Sequence, residues 1–157
     1  MSSKTLNDLV IASRAVTVGV GLKTEELHEI KVSLSELDQL VEAIGAEVVG
    51  SVVQRPTQWT PATLIGSGKI DEIKSLVEDS KANFVVLDHH LSGAQVRNLS
   101  EAMGVPVIDR TQLIIEIFAR RAQSHEGILQ VELAQALDQF SRQVGAWHGS
   151  LSRQGGG

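Results

Sequence analysis

Short apolar runs alternate along this chain with segments whose apolar residues recur every three or four positions. The runs are rich in β-branched residues, are typical of buried strands, and lie at residues 15–20, 46–53, 84–87 and 105–108. The periodic segments between them predict helices over residues 33–44, 69–79 and 92–103. Strands that alternate with helices of about a dozen residues indicate an α/β fold, with a small parallel sheet flanked by helices.

The first of these helices carries a clear start signal. Ser33 with Glu36 three residues later matches a capping box, and Gly45 is a typical residue just beyond a helix end. We therefore predict that this helix begins at Ser33.

From Thr111 onward the pattern becomes entirely helical, with a bend predicted near residues 124–127. A long amphipathic helix then carries apolar residues spaced by four and three, at Leu133, Leu137, Phe140, Val144, Trp147 and Leu151. Such an apolar seam needs a partner, so this helix is interpreted as half of a helical hairpin. The predicted division is an N-terminal extension (1–14), an α/β subdomain (15–110), a helical subdomain (111–154) and a glycine-rich loop (155–157), with a dimer through the unpaired seam as an alternative.

Composition narrows the class of protein. The chain has 157 residues, of which 42% are hydrophobic, and it contains no cysteine, so disulfides and thiolate metal sites are excluded. No run of 18 apolar residues is present, and the first residues lack the pattern of a signal peptide. We therefore expect a cytoplasmic protein without a membrane span.

Charge is distributed unevenly along the chain. Residues 1–109 hold nine Lys and Arg against fifteen Asp and Glu, whereas residues 110–157 hold five against four. After Asp138 the charged residues are Arg142 and Arg153. If the chain binds an anionic partner, its C-terminal end is the expected contact.

Two motifs suggest chemistry. Gly66-Ser67-Gly68-Lys69 invites comparison with a phosphate-binding loop, but Thr63 stands where the first glycine belongs and Ile70 where a metal-binding hydroxyl belongs. The favoured interpretation is a turn followed by a helix start, although a weak anion site at the helix N-terminus stays possible.

Asp88-His89-His90 follows a buried strand, and Asp109 ends the next one. Such strand ends are where α/β folds bind ligands, and Asp and His can hold a divalent metal. The triplet is similar to the signature of DHH phosphoesterases, whose additional aspartate motifs the chain does not show. The alternatives are a metal-dependent phosphoesterase, or a solvated loop in which Asp88 or Ser92 caps the following helix.

An ordered set of segments resembles the N-terminal region of the HflX family of ribosome-associated GTPases. These segments cover residues 45–157 and are Gly45–Gly50 with Gln54 and Arg55, Thr63–Lys69, Gln95–Leu99, Val107–Thr111, Ile117–Ala122, Glu126 with Gly127, Leu129–Gln135, and Leu151–Gly157.

The resemblance implies an α/β subdomain and a helical hairpin whose glycine loop reaches ribosomal RNA of the large subunit. It also implies a following G domain, truncated from this chain, that binds GTP and Mg²⁺. For the chain by itself we expect a binding and regulatory module without a cofactor or enzymatic activity, with a stand-alone dimerisation module as a further alternative. The candidate RNA contacts are Arg142, His148, Arg153, Gln154, Gly155, Gly156 and Gly157.

Overall fold

A computed structural model of the chain describes residues 14–121 and 132–139, and its centre is one parallel sheet. The strands β1 (Arg14–Val20), β2 (Glu47–Gln54), β3 (Phe84–Asp88) and β4 (Val107–Asp109) lie in the order β2-β1-β3-β4. The helices that connect and follow them are α1 (Leu27–Ala43), α2 (Ser67–Ser80), α3 (Gly93–Met103) and α4 (Arg110–Arg121), and residues 132–139 are also helical. The predicted α/β class with a small parallel sheet is confirmed.

The helices cover the sheet on both faces, which explains why the strands are almost continuously apolar. On one face α1 and α4 enclose a core built on Ala15, Leu34, Leu37, Val41, Phe84, Val86, Leu113 and Ile117. On the other face α2 and α3 enclose a larger core built on Val16, Val18, Ile65, Ile73, Val85, Leu87, Leu99 and Met103. Alternate residues of β1 and β3 therefore point into different cores.

The predicted start of α1 is wrong. The helix begins at Leu27, six residues before Ser33, and its N-cap Glu26 makes no side-chain capping bond. Ile30 is buried together with Leu34, Leu37 and Val41, so the apolar face of the helix extends a full turn before Ser33. Burial of that additional turn decides the boundary, and Ser33 is left in mid-helix.

The other boundaries lie close to their predicted positions. Ser92 is the N-cap of α3 and forms a reciprocal capping box with Gln95, which confirms the capping alternative for Ser92. Gly104 ends α3 with a φ of 74°, a conformation that favours glycine. β4 starts later than predicted, at Val107, although the carbonyl of Pro106 still accepts a hydrogen bond from the Val85 N–H.

α4 continues directly from β4 and is part of the packed structure. Leu113 and Ile117 are buried against α1, while Phe118 faces solvent. The boundary at residue 110 between the two subdomains stays a prediction. Of the predicted seam, Leu133 and Leu137 are 60% and 59% exposed, and its other four residues and the predicted bend lie outside the described residues. None of the described helices is both long and apolar enough to cross a membrane.

Candidate functional site

The strand order creates a crevice at the carboxyl ends of β1 and β3. The chain leaves β1 through α1 on one face and leaves β3 through α3 on the other, which is the arrangement at which open α/β sheets bind ligands. A cleft of about 220 Å³ lies there, lined by Val20, Glu25, Glu26, Glu29, Ile30, Ser33, Asp88 and His89.

The charge of this cleft is negative. Glu25, Glu26 and Glu29 are exposed around its mouth, and Asp88 stands at its base. Part of this acidity has a structural use, because the Glu25 carboxylate accepts a hydrogen bond from the Leu22 N–H in the turn after β1. A phosphate group would meet several carboxylates here, so the crevice is unsuited to nucleotides or phosphoesters.

Asp88 is held by an internal ion pair. The Arg110 Nε donates to the Asp88 Oδ1 at 2.9 Å, and the Ser33 hydroxyl donates to the Asp88 Oδ2 at 2.5 Å. The Arg110 Nη2 also donates to the carbonyl and hydroxyl oxygens of Ser33, at 2.7 and 2.9 Å. The side chains of Asp88 and Arg110 are 10% and 27% exposed, so both carboxylate oxygens are used within a mostly buried network.

Asp109 has a different structural role. It is fully buried and accepts hydrogen bonds from the backbone N–H groups of Gln112 and Leu91, both at 3.0 Å. The first bond caps the N-terminus of α4, and the second fixes the loop that follows β3. His90 lies at the surface, with its Nδ1 3.7 Å from the Asp109 Oδ2.

His89 is placed against an aromatic ring. Its ring centroid lies 4.7 Å from that of Trp59, with the two planes tilted by 53°. Trp59 belongs to the loop between β2 and α2, which α3 holds through hydrogen bonds from Gln95 and Asn98 to the carbonyls of Pro61 and Ala62. The pair therefore joins two loops at one side of the crevice.

The alternative of a metal site at Asp88, His89, His90 and Asp109 receives no support from this geometry. The carboxylate oxygens of Asp88 accept hydrogen bonds from Arg110 and Ser33, and those of Asp109 accept hydrogen bonds from backbone N–H groups. The ring of His89 packs against Trp59. Within residues 14–121 and 132–139, no three His, Asp or Glu side chains are arranged so that they could hold a metal ion.

Gly66-Ser67-Gly68-Lys69 forms the start of α2, as the turn interpretation predicts. Gly66 is the N-cap, and the N–H groups of Lys69 and Ile70 bond to its carbonyl. The residues before it form a turn closed by a bridge between Thr60 and Leu64 rather than the strand that a phosphate-binding loop follows. The predicted RNA contacts from Arg142 to Gly157 lie outside the described residues.

The combination of this fold and these motifs matches a known family. Residues 31–119 match the family model described as GTP-binding GTPase N-terminal. The chain belongs to this family. The match includes most of α1, the strands β2, β3 and β4, and most of α4, and it confirms the resemblance to the N-terminal domain of HflX proteins.

Relatives named GTPase HflX match along most of this chain. The protein from Caldanaerobacter subterraneus subsp. tengcongensis is 44% identical over 92% of the chain, and the one from Escherichia coli is 44% identical over 79%. The protein from Thermofilum pendens is 47% identical over 69%. These matches cover 32%, 29% and 26% of the three relatives, so the chain spans about a third of their length.

Solved structures share the fold at lower identity. A variant of SsGBP superposes with a TM-score of 0.62 at 22% identity, over 82% of this chain and 40% of that one. A GTP-binding protein from the hyperthermophilic archaeon Sulfolobus solfataricus, solved in complex with GDP, superposes with a TM-score of 0.56 at 20% identity, over 89% and 42% of the two chains. Their agreement supports the architecture described above.

Sequence reasoning located Asp88 but missed the residues that hold it. Asp88 stands out because it ends a buried strand, whereas Ser33 and Arg110 are 55 and 22 positions away in the chain. A local pattern assigned Ser33 to helix capping, and Arg110 was noted only as part of the HflX-like segment that follows the last strand. No spacing rule joins these three residues.

Proposed function

We propose that this domain is the ribosome-binding module of a GTPase whose nucleotide-hydrolysing G domain lies elsewhere in the full-length protein. The observation that carries the proposal is the match to GTPase HflX proteins, which extends along most of this chain but along only a third of theirs. GTP and Mg²⁺ belong, in this proposal, to the G domain.

The described residues favour a binding module over an independent enzyme. The crevice where α/β folds usually carry ligands is acidic, and its best-placed carboxylate is committed to Arg110. Gly66–Lys69 starts a helix without the strand and the metal-binding hydroxyl of a phosphate-binding loop.

The charge distribution favours the C-terminal end as the RNA contact. The acidic sheet region repels a polyanion, whereas Arg142, His148 and Arg153 follow the last acidic residue. Glycines admit a phosphate close to the backbone, and an arginine can fork onto a phosphate or stack on a base. We therefore assign RNA contact to the segment from Arg142 to Gly157, with Arg153 and Gln154 next to the three glycines.

The proposal is tested by co-sedimentation of the full-length protein with purified large ribosomal subunits. We expect Arg153→Ala combined with Gln154→Ala to weaken binding and to flatten its dependence on salt, because fewer counterions are then released from the RNA. Intrinsic GTP hydrolysis should stay unchanged, since these residues lie outside the proposed G domain.

Arg97→Ala is the matched control, because it removes an exposed arginine from α3 within the sheet region. It should leave subunit binding unchanged. Equal binding by the double variant and the unmodified protein would remove the glycine loop from the interface. Failure of the unmodified full-length protein to sediment with either ribosomal subunit would refute the proposed function.

A further inference from the structure

The outer edge of β2 is an unpaired strand within the described part of the chain. β2 has eight residues, the most of the four strands, and pairs with β1 along one side. Among the described residues, no strand, loop or side chain hydrogen-bonds to the backbone of its other side between residues 47 and 53. The opposite edge of the sheet, β4, has three residues.

This edge lacks most of the features that prevent strands from pairing. Natural edge strands are usually short, or carry Lys or Pro that block a second strand. The sequence Glu-Val-Val-Gly-Ser-Val-Val-Gln of β2 contains neither, and its single charge stands at its first residue. The four valines are partly exposed, and no described strand lies on their outer side.

The sequence of β2 is symmetric about its centre when the two residues of its β-bulge are counted as one position. The register to β1 shifts between Val48 and Gly50, so Val49 and Gly50 occupy one position of the pleat. Val49 packs against the α2 side, where a side chain at Gly50 would meet Leu76, so both face the same way. Counted in this way, Ser51 is the central position of the strand.

Residues placed symmetrically about Ser51 match in chemistry and in direction. Val48 and Val53 pack on the α1 side, whereas Val49 and Val52 pack on the α2 side. The outermost pair is Glu47 and Gln54, so a carboxylate would meet an amide and no like charges would oppose each other.

The hydrogen-bonding direction of the backbone agrees with this symmetry. The Gln54 carbonyl accepts from the Gly21 N–H and therefore points to the β1 side. Because successive residues of a strand alternate, the backbone groups of Ser51 and Val53 point outward, and across the bulge so do those of Val48. These are the positions that an antiparallel partner would use as hydrogen-bonded pairs.

We propose that β2 pairs antiparallel with β2 of a second copy of this chain, about a two-fold axis through Ser51. Ser51 then faces its own counterpart and Val48 faces Val53 of the second copy, so two four-stranded sheets join into one. The contact is isologous and closes on itself as a dimer. It uses a surface different from the apolar seam at Leu133 and Leu137, and it does not depend on the proposed function.

Cysteine cross-linking tests the axis directly, because the 157-residue chain has no cysteine of its own. In a hydrogen-bonded antiparallel pair the Cα atoms are about 5.5 Å apart, within the range that a disulfide spans. We expect Ser51→Cys to form a covalent dimer under mild oxidation. Glu47→Cys is the matched control, since the two copies of residue 47 would lie about 20 Å apart. Leu137→Cys reports on a dimer through the helix seam.

Sedimentation velocity over roughly a hundredfold range of concentration provides the second measurement. The unmodified chain should associate reversibly to a dimer. Ser51→Lys places a long charged side chain of each copy at the axis, a feature with which natural edge strands prevent pairing, and should shift the dissociation constant upward by at least about tenfold. Ser51→Ala removes the same hydrogen bonds to Asp38 without adding charge, so it should dimerise within about twofold of the unmodified chain.

A monomer at all concentrations, with Ser51→Cys cross-linking no faster than Glu47→Cys, would overturn the proposal. So would a dimer that Ser51→Lys leaves intact, or one that cross-links through Leu137→Cys instead. Circular dichroism of each variant confirms that the sheet is retained, and the comparison of Ser51→Lys with Ser51→Ala separates the charge at the axis from the loss of the hydroxyl.

Discussion

Arg110 is the residue at which three elements of the domain meet. It is the first residue of α4, and its guanidinium bonds to Asp88 at the end of β3 and to Ser33 in the middle of α1. A planar guanidinium presents donors in fixed directions, so one side chain can set the angle between these elements. The ion pair to Glu36 at 3.7 Å adds little, because Glu36 is 63% exposed.

Replacement of Arg110 should therefore destabilise the domain. We expect Arg110→Ala to lower the free energy of unfolding by about 2 kcal/mol, because Asp88 would stay in a mostly buried place without its charged partner. Arg110→Lys should lower the free energy of unfolding by less, since lysine keeps the positive charge but not the planar set of donors that bonds to Asp88 and Ser33 together. Urea denaturation measures both, with Arg97→Ala as an exposed arginine control that should change stability by under about 0.5 kcal/mol. Equal stability of Arg110→Ala and Arg97→Ala would show that the network is dispensable.

At the scale of elements, periodicity predicted most of what the structure contains. The buried strand at Phe84–Asp88 and the inward positions of α2 could be predicted because several residues repeat the same signal. The start of α1 could not, because the local match at Ser33 competes with burial of Ile30 a turn earlier. Capping signals are local, and tertiary burial overrides them where an apolar face continues.

The candidate site was predictable only in part for the same reason. Asp88 and Asp109 could be placed at neighbouring strand ends, because parallel strands end at one edge of a sheet. Their roles could not be predicted, since both partners of Asp88 are distant in sequence and Asp109 binds backbone N–H groups. From the sequence alone, a carboxylate that binds a metal cannot be distinguished from one that forms an internal ion pair.

The capping box at the start of α3 allows the stability that a helix cap contributes to be measured. The Ser92 hydroxyl accepts from the Gln95 N–H at 3.1 Å, and the Gln95 side chain accepts from the Ser92 N–H at 3.0 Å. We expect Ser92→Ala to lower the free energy of unfolding by about 1 kcal/mol. Ser33→Ala provides a contrast, because the Ser33 hydroxyl contacts both Asp88 and Arg110, so the cost of this change should differ between the unmodified and the Arg110→Ala backgrounds. Additive losses at Ser33 and Arg110 in a double-mutant cycle would contradict the observed contacts.

At the scale of the whole molecule, the described residues form a packed α/β domain, and the proposed RNA contacts lie later in the chain. Both faces of the sheet are filled by apolar cores, and the crevice at its carboxyl edge is acidic. Apolar surface that stays exposed among the described residues includes the unpaired edge of β2, Phe118, and the seam residues Leu133 and Leu137. If the chain binds an anionic partner, as proposed above, this distribution of charge favours the C-terminal segment over the sheet as the contact.

The same organisation predicts that this chain binds no GTP by itself. The position that supplies a Mg²⁺-binding hydroxyl in a phosphate-binding loop is held by Ile70, a buried apolar residue. The turn before Gly66 also differs from such a loop, with Leu64 in a left-handed conformation at a φ of 67°. Lys69 stands at the start of α2, but a helix N-terminus with one lysine does not surround a triphosphate. Titration with a fluorescent GTP analogue and Mg²⁺ should show no saturable binding, and Lys69→Ala should leave the titration unchanged. Saturable binding that Lys69→Ala abolishes would contradict this prediction and would make the Gly66–Lys69 segment a nucleotide site.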